Sequence, residues 1–219
     1  MFIGHAAVAF AAKRVAPQVS LGTMLLAVYF LDALWPVFLL LHWEQVEIRP
    51  GDTAFTPLAF TYYPWTHSLL MAGVWSALLG AVYAALRRDS RGALWVALAV
   101  ASHWILDWVT HRPDLPLAPG SDTKFGLGLW NSVPATLAVE LALFAVAVLL
   151  YVRRSRPRDA TGRWAYIALV AFLLAAYGGN VIGPPPPSVT ALAIVALSMW
   201  LLVPWGYWID RHREAGPTP

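Results

Sequence analysis

Six apolar stretches of close to twenty residues each, near 21–41, 64–86, 92–111, 129–152, 164–183 and 188–209, occupy most of the chain and leave it few ways to fold. A helix rising ~1.5 Å per residue needs about 20 residues to cross ~30 Å of hydrocarbon, and a backbone surrounded by lipid must satisfy its own hydrogen bonds. The expected fold is therefore all-α, a polytopic membrane helical bundle of six full transmembrane helices. Ahead of them, MFIGHAAVAFAAKR is apolar but too short to span comfortably, so it reads as a short N-terminal half-helix or re-entrant segment held in place by protein. Its charges, Lys13 and Arg14, follow the apolar part, which is the wrong order for a signal peptide.

Composition and charge agree with that reading. The 219 residues are 59% hydrophobic and 12% charged, against roughly 45–50% and 25% in an ordinary soluble domain. Twelve Trp and eight Tyr supply rings that settle at headgroup level on the two membrane surfaces. With no cysteine, the chain has no thiolate nucleophile, disulfide or Cys-ligated zinc or iron–sulfur site. If the helices alternate, twelve of the fifteen Lys and Arg fall on one side, with only Arg49, Arg112 and Lys124 on the other. By the positive-inside rule the short basic loops and the C-terminus are then cytoplasmic, in a bacterial-type inner membrane, and loops 42–63 and 112–128 lie outside. The basic residues sit beside apolar runs, so the pI near 9.4 points to anionic lipid and not to nucleic acid. Residues 1–210 are expected to form one integral-membrane domain and residues 211–219 a short, polar, loose tail. GPPPP at 183–187 cannot continue a helix and is expected to make a stiff outer connection.

Against this background a few ionisable residues stand out, because burying one in hydrocarbon costs several kcal/mol and calls for a partner or a function. SHWILDWVTHRPD places His103, Asp107 and His111 on one helical face at spacings of four. Asp32 in AVYFLDALWP, Glu140 in ATLAVELALF, His5 and His67 complete the set. Counted from the basic ends at ~1.5 Å per residue, His5, Asp32 and His103 all come out about 13–16 Å deep, and the others lie level with them or further outward. Imidazole nitrogens and carboxylate oxygens suit zinc and its neighbours, and a catalytic zinc takes about three protein ligands plus a water. A spare carboxylate, Asp107 or Glu140, is placed to assist proton transfer.

Each residue also has a plainer role. His103 and Asp107 fit a core histidine with an i,i+4 partner, His67 lies in a Thr-His-Ser run suited to capping a helix, and His111 fits an interfacial helix end. Glu140 fits packing, and Arg112 and Lys124 fit solvated interfacial charges as well as phosphate contacts. His42 and Glu44 are expected to be solvated at the outer interface, and His212 belongs to the basic tail.

His5, Leu31-Asp32, Thr66-His67-Ser68-Leu69 and His103-x-x-x-Asp107 occur in the order seen in the YdjM-like family of predicted inner-membrane metal-dependent hydrolases, which the chain resembles over roughly residues 1–115. The resemblance implies that His5, Asp32, His67, His103 and Asp107 are metal ligands. It departs at Leu34, where the family often reads Asp-x-Asp, and at THRPDLP, where His111 and Asp114 are candidates for a replacement ligand or a substrate contact. The expected function is a membrane-embedded metal-dependent hydrolase, with zinc or else manganese or iron, acting on a lipid or lipid-linked phosphoester. The alternatives are a metal or proton transporter and a structural polar cluster that locks helices together. PSGH, GxSxG, HExxH and P-loop signatures are absent from the sequence.

Overall fold

The computed structural model describes residues 1–216 and shows an all-α polytopic bundle. Five helices are long and apolar enough to cross a membrane: α5 (Leu69–Arg87), α6 (Ser90–Thr110), α7 (Val133–Arg154), α8 (Ala160–Ile182), and α9 (Val189–Ala196), which continues through a 3-10 segment into α10 (Leu202–Arg211). The remaining expected span, the first in the chain, is bent. It consists of α2 (Leu21–Val28) and α3 (Phe30–Leu40), which meet at 53° around Tyr29. The second span is interrupted as well, since a four-residue helix, α4 (Pro64–His67), precedes α5 across Ser68.

Local chemistry explains where the helices begin. Ser20, Ser68, Asp89, Ser132, Asp159 and Ser188 each accept a backbone N–H from the first turn of the helix that follows, satisfying donors that a helix leaves without internal partners. Pro64 occupies the first turn of α4, where its missing N–H costs nothing.

The half-helix α1 (Ile3–Ala12) is enclosed by the others and packs against α7, α2 and α6. Its ten residues reach from the basic end, where Lys13 lies 3.7 Å from Asp210, to the middle of the bundle. Of the five straight spans α6 is the most enclosed, with 44% of its apolar window buried against 17–28% for the rest, so its polar residues face protein. Helices α2 and α10 approach closely because Gly22 and Gly206 meet: a Cβ on Gly206 would lie 2.7 Å from the Gly22 backbone.

Three small antiparallel strand pairs close the ends. At one end β1 (Gln45–Ile48) pairs with β2 (Leu58–Tyr62), and β3 (Leu115–Pro116) with β4 (Lys124–Phe125). At the basic end β5 (Ser155–Pro157) pairs with β6 (Arg213–Ala215). The tail is thus not loose over 213–215, because its backbone completes a strand pair and Arg213 is buried; residues 217–219 of the expected tail lie outside the described residues.

Candidate metal centre

The interruptions of the first two spans are what create the site. The break at Ser68 places His67 at the C-terminus of α4, pointing inward. The bend at Tyr29 leaves Val28 as the last residue of α2, and its carbonyl, one of those a helix end leaves unpaired, lies 2.7 Å from Nδ1 of His103. Asp32 sits in the first turn of α3, just past the bend. His103 and Asp107 project from one face of α6, and His5 reaches the same point from α1.

These five side chains converge. Nε2 of His103 lies 3.0 Å from Asp107 Oδ2 and 3.6 Å from Asp32 Oδ1. Nε2 of His67 lies 3.3 Å from Asp32 Oδ1 and 3.8 Å from Asp107 Oδ2, and Nε2 of His5 lies 3.1 Å from Asp107 Oδ1. Two triads result, His5–His103–Asp107 and Asp32–His67–His103, each with its ligand atoms within 4.8 Å of one another and sharing His103. Ligand atoms at the usual ~2.0–2.1 Å around a tetrahedral ion stand about 3.3 Å apart, so the spacings fit a metal. His103 Nε2 is buried without a hydrogen-bond partner, and the rings of His5 and His103 stack at 3.8 Å with 4° between planes. The α-amino group of Met1 also donates to Asp107 Oδ1, at 2.6 Å.

Outer partners orient two of the three imidazoles. Nδ1–H of His103 donates to Val28, which leaves Nε2 with its lone pair facing the cluster. Nδ1–H of His67 donates to Oγ1 of Thr66 at 2.7 Å, and that hydroxyl donates to Oε2 of Glu44 at 2.6 Å. Glu44 also accepts the backbone N–H of Thr66 at 2.8 Å. Glu44, expected to be solvated, is only 2% exposed, because the β1–β2 hairpin folds the chain back onto α4. Burial pushes its carboxyl pKa up, against the pull of His67 and the Thr66 hydrogen bonds. His42, by contrast, is exposed as expected. Nδ1 of His5 is buried without a partner.

The other candidate residues lie elsewhere. Glu140 on α7 accepts the backbone N–H groups of Phe2 and Gly4 at 3.0 and 3.2 Å, so it anchors the start of α1 and takes no part in either triad. His111, the residue after α6, belongs to neither triad. Its Nδ1 lies 2.9 Å from Asp114 Oδ1, which Tyr63 also holds at 2.7 Å, and its ring packs on Trp130 and Phe60. Burial opposes ionisation of Asp114, but hydrogen bonds from His111, Tyr63 and Arg112 outweigh it and keep the carboxyl below its ordinary value. Arg112 is held by Asp52 and Asp114 at 2.8 and 3.2 Å, and Lys124 is exposed on β4.

A cleft of about 260 Å³ reaches the cluster from the hairpin end. Asp32, His67, Asp107, His111, Thr56 and Asn180 contribute its polar lining, Trp35, Phe60, Trp130 and Tyr177 its aromatic walls, and Pro184 and Pro186 of the proline-rich connection also line it. Neither Arg112 nor Lys124 lines it. The Thr66–Glu44 relay has no local sign in the sequence, because its members lie 22 residues apart.

Comparison with curated proteins and with solved structures finds no match to the chain. The family model described as YdjM inner membrane protein matches residues 63–182, more than half of the chain, from just ahead of Thr66-His67 through His103, Asp107 and Glu140; His5 and Asp32 lie outside that stretch. With five apolar spans and a sixth that is bent, the chain belongs to the YdjM inner membrane protein family.

Proposed function

We propose that the protein is a membrane-embedded metal-dependent hydrolase acting on a lipid or lipid-linked phosphoester. The observation that carries this reading is the convergence of three imidazoles and two carboxylates, from four separate elements, at the base of a cleft with aromatic walls. His5, Asp32, His67, His103 and Asp107 would hold the ion, with zinc favoured by the nitrogen and oxygen donors and manganese or iron compatible with them. When bound, a divalent ion there supplies a Lewis acid for a phosphoryl oxygen and lowers the pKa of water toward neutrality.

The protein's own residues supply position and proton handling. Asp32 is the most accessible carboxylate of the cluster, with a quarter of its side chain exposed, and is placed to accept a proton from an attacking water in the cleft. Asp107, with only 3% of its side chain exposed, holds His5 and His103 in place. Trp35, Trp130 and Tyr177 offer apolar surface to an acyl or isoprenoid chain. The basic end is assigned to the cytoplasm by the positive-inside rule, so the cleft faces the outer leaflet and meets headgroups there. A transport path is disfavoured by Phe10, whose ring packs against Phe144, Tyr151 and Tyr166 and fills the core between the cluster and the basic end.

The test is release of phosphate or headgroup from phospholipids and isoprenoid-linked phosphates by the reconstituted protein, with and without added zinc or manganese. Metal-dependent turnover lost in Asp32→Asn supports the proposal. Turnover unchanged in Asp32→Asn and His103→Ala, or no turnover of any lipid phosphoester by metal-loaded protein, contradicts it.

A further inference from the structure

At the opposite end of the bundle, a second cavity of about 290 Å³ lies where the end of α1 and the loop after it meet the ends of α7 and α10 and the β5–β6 pair. Its charged lining is Lys13, Arg154, Arg158 and Arg213 against Asp210 and Glu214. The two acids are already engaged, Asp210 with Lys13 at 3.7 Å and with the backbone N–H of Leu21, Glu214 with Arg158 at 3.6 Å. Two cations remain. Arg154 makes no ion pair among the described residues, the acids of the cavity being taken by Lys13 and Arg158.

Arg213 is the more telling, because it is only 7% exposed. Its guanidinium donates to Oγ and O of Ser155 and to the carbonyl of Gly162 at 2.9–3.1 Å and lies over the rings of Tyr151 and Tyr166, 5.4 and 5.0 Å from their centroids. Those contacts satisfy its hydrogen bonds but not its charge, since no carboxylate among the described residues lies within ion-pairing distance. The nearest acid on the cavity, Asp210, is already engaged by Lys13 and Leu21, and burying a cation without a direct ion-pair partner is costly. Beside it the Tyr151 hydroxyl, in a side chain 1% exposed, lines the same cavity and has no hydrogen-bond partner. A buried cation, a free guanidinium and an unpartnered hydroxyl donor around one cavity form a receptor for a tetrahedral oxyanion.

We propose that this cavity binds a phosphate group, and that its source is the headgroup of an anionic phospholipid in the leaflet at the basic end. The depth is right for a headgroup. The cavity sits among the exposed Arg153, Arg156 and Arg158, with Trp164 and Trp208 exposed nearby as interfacial rings do. The bound phosphate supplies the counter-charge for Arg213 and holds the tail strand β6 to β5, making the clasp at this end dependent on anionic lipid.

The test uses the full chain in neutral detergent, with thermal unfolding followed during titration with short-chain phosphatidylglycerol, short-chain phosphatidylcholine or inorganic phosphate. A saturable upward shift with phosphatidylglycerol and not with phosphatidylcholine, weakened about tenfold or more in apparent affinity by Arg154→Gln and by Tyr151→Phe, is the expected result. Neither variant removes a hydrogen bond that holds the fold, so both remain informative if Arg213→Met fails to fold. A saturable shift with inorganic phosphate alone, lost in the same variants, supports the site and assigns it to soluble phosphate. Equal shifts with the two lipids, or shifts unchanged in both variants, overturn the proposal.

Discussion

Thr66 lies at the hinge of the proposed metal centre, and replacing it with valine removes one hydroxyl while nearly preserving shape. In the structure that hydroxyl accepts from His67 Nδ1 at 2.7 Å and donates to Glu44 Oε2 at 2.6 Å, with Thr66 fully buried. Thr66→Val therefore leaves two buried polar groups without a partner, each worth ~1–3 kcal/mol, although Glu44 keeps the Thr66 backbone N–H. We expect the metal-free protein to lose about 2–4 kcal/mol of stability. Metal affinity should fall a further ~10–100-fold, the usual cost of removing a group that orients a ligating histidine, or about 1.4–2.7 kcal/mol. Thr66→Ser retains the hydroxyl and serves as the control. The assay is competition for zinc with a chromogenic chelator, alongside thermal unfolding of metal-free protein. Affinity in Thr66→Val equal to that in Thr66→Ser, with both proteins folded, would refute the role assigned to the Glu44–Thr66–His67 relay.

Glu140→Leu, which removes the acceptor for Phe2 and Gly4, should loosen the start of α1 and weaken metal binding through His5, whereas Glu140→Gln keeps an acceptor and should come close to wild type; chelator competition on the pair checks this. Asp114 is held below its ordinary value of 3.8, so it contributes stability above that pH and loses it as pH falls through its lower folded value. Wild type should therefore be more stable than Asp114→Asn at neutral pH, and the difference in unfolding midpoint should shrink only below about pH 4. Gly22→Val would drive a side chain into Tyr207 and the Val203 carbonyl, both 2.6–2.7 Å from the added Cβ, and should cost about 1–3 kcal/mol by thermal unfolding.

Much of the candidate cluster is legible in the sequence because its residues break a strong pattern locally. His103 and Asp107 interrupt an apolar run at a spacing that fixes them to one helical face, and Asp32 has no basic neighbour within a turn to explain it. The spans were legible for the same reason, since hydropathy is a property of contiguous residues. What escaped were features made by partners distant in sequence. Glu44 lies in an ordinary polar stretch, and nothing near it announces the hairpin that buries it against Thr66. His111 continues the i,i+4 series, but the helix ends at Thr110 and Asp114 captures its ring. The bend at Tyr29 has neither glycine nor proline at the break, and Pro36 sits within α3 without ending it. The Arg213 clasp likewise depends on Ser155 and Gly162, more than fifty residues earlier.

Metal binding by the cluster can be measured by elemental mass spectrometry of protein purified without a histidine tag, after equilibration with zinc, manganese and iron, for wild type, His103→Ala and Asp32→Asn. Wild type is expected to hold a stoichiometric ion, His103→Ala to lose it because both triads lose their shared ligand, and Asp32→Asn to lose it at least in part. Folded wild-type protein that retains no ion under any of these conditions, or variants that retain as much as wild type, would contradict metal binding by the cluster.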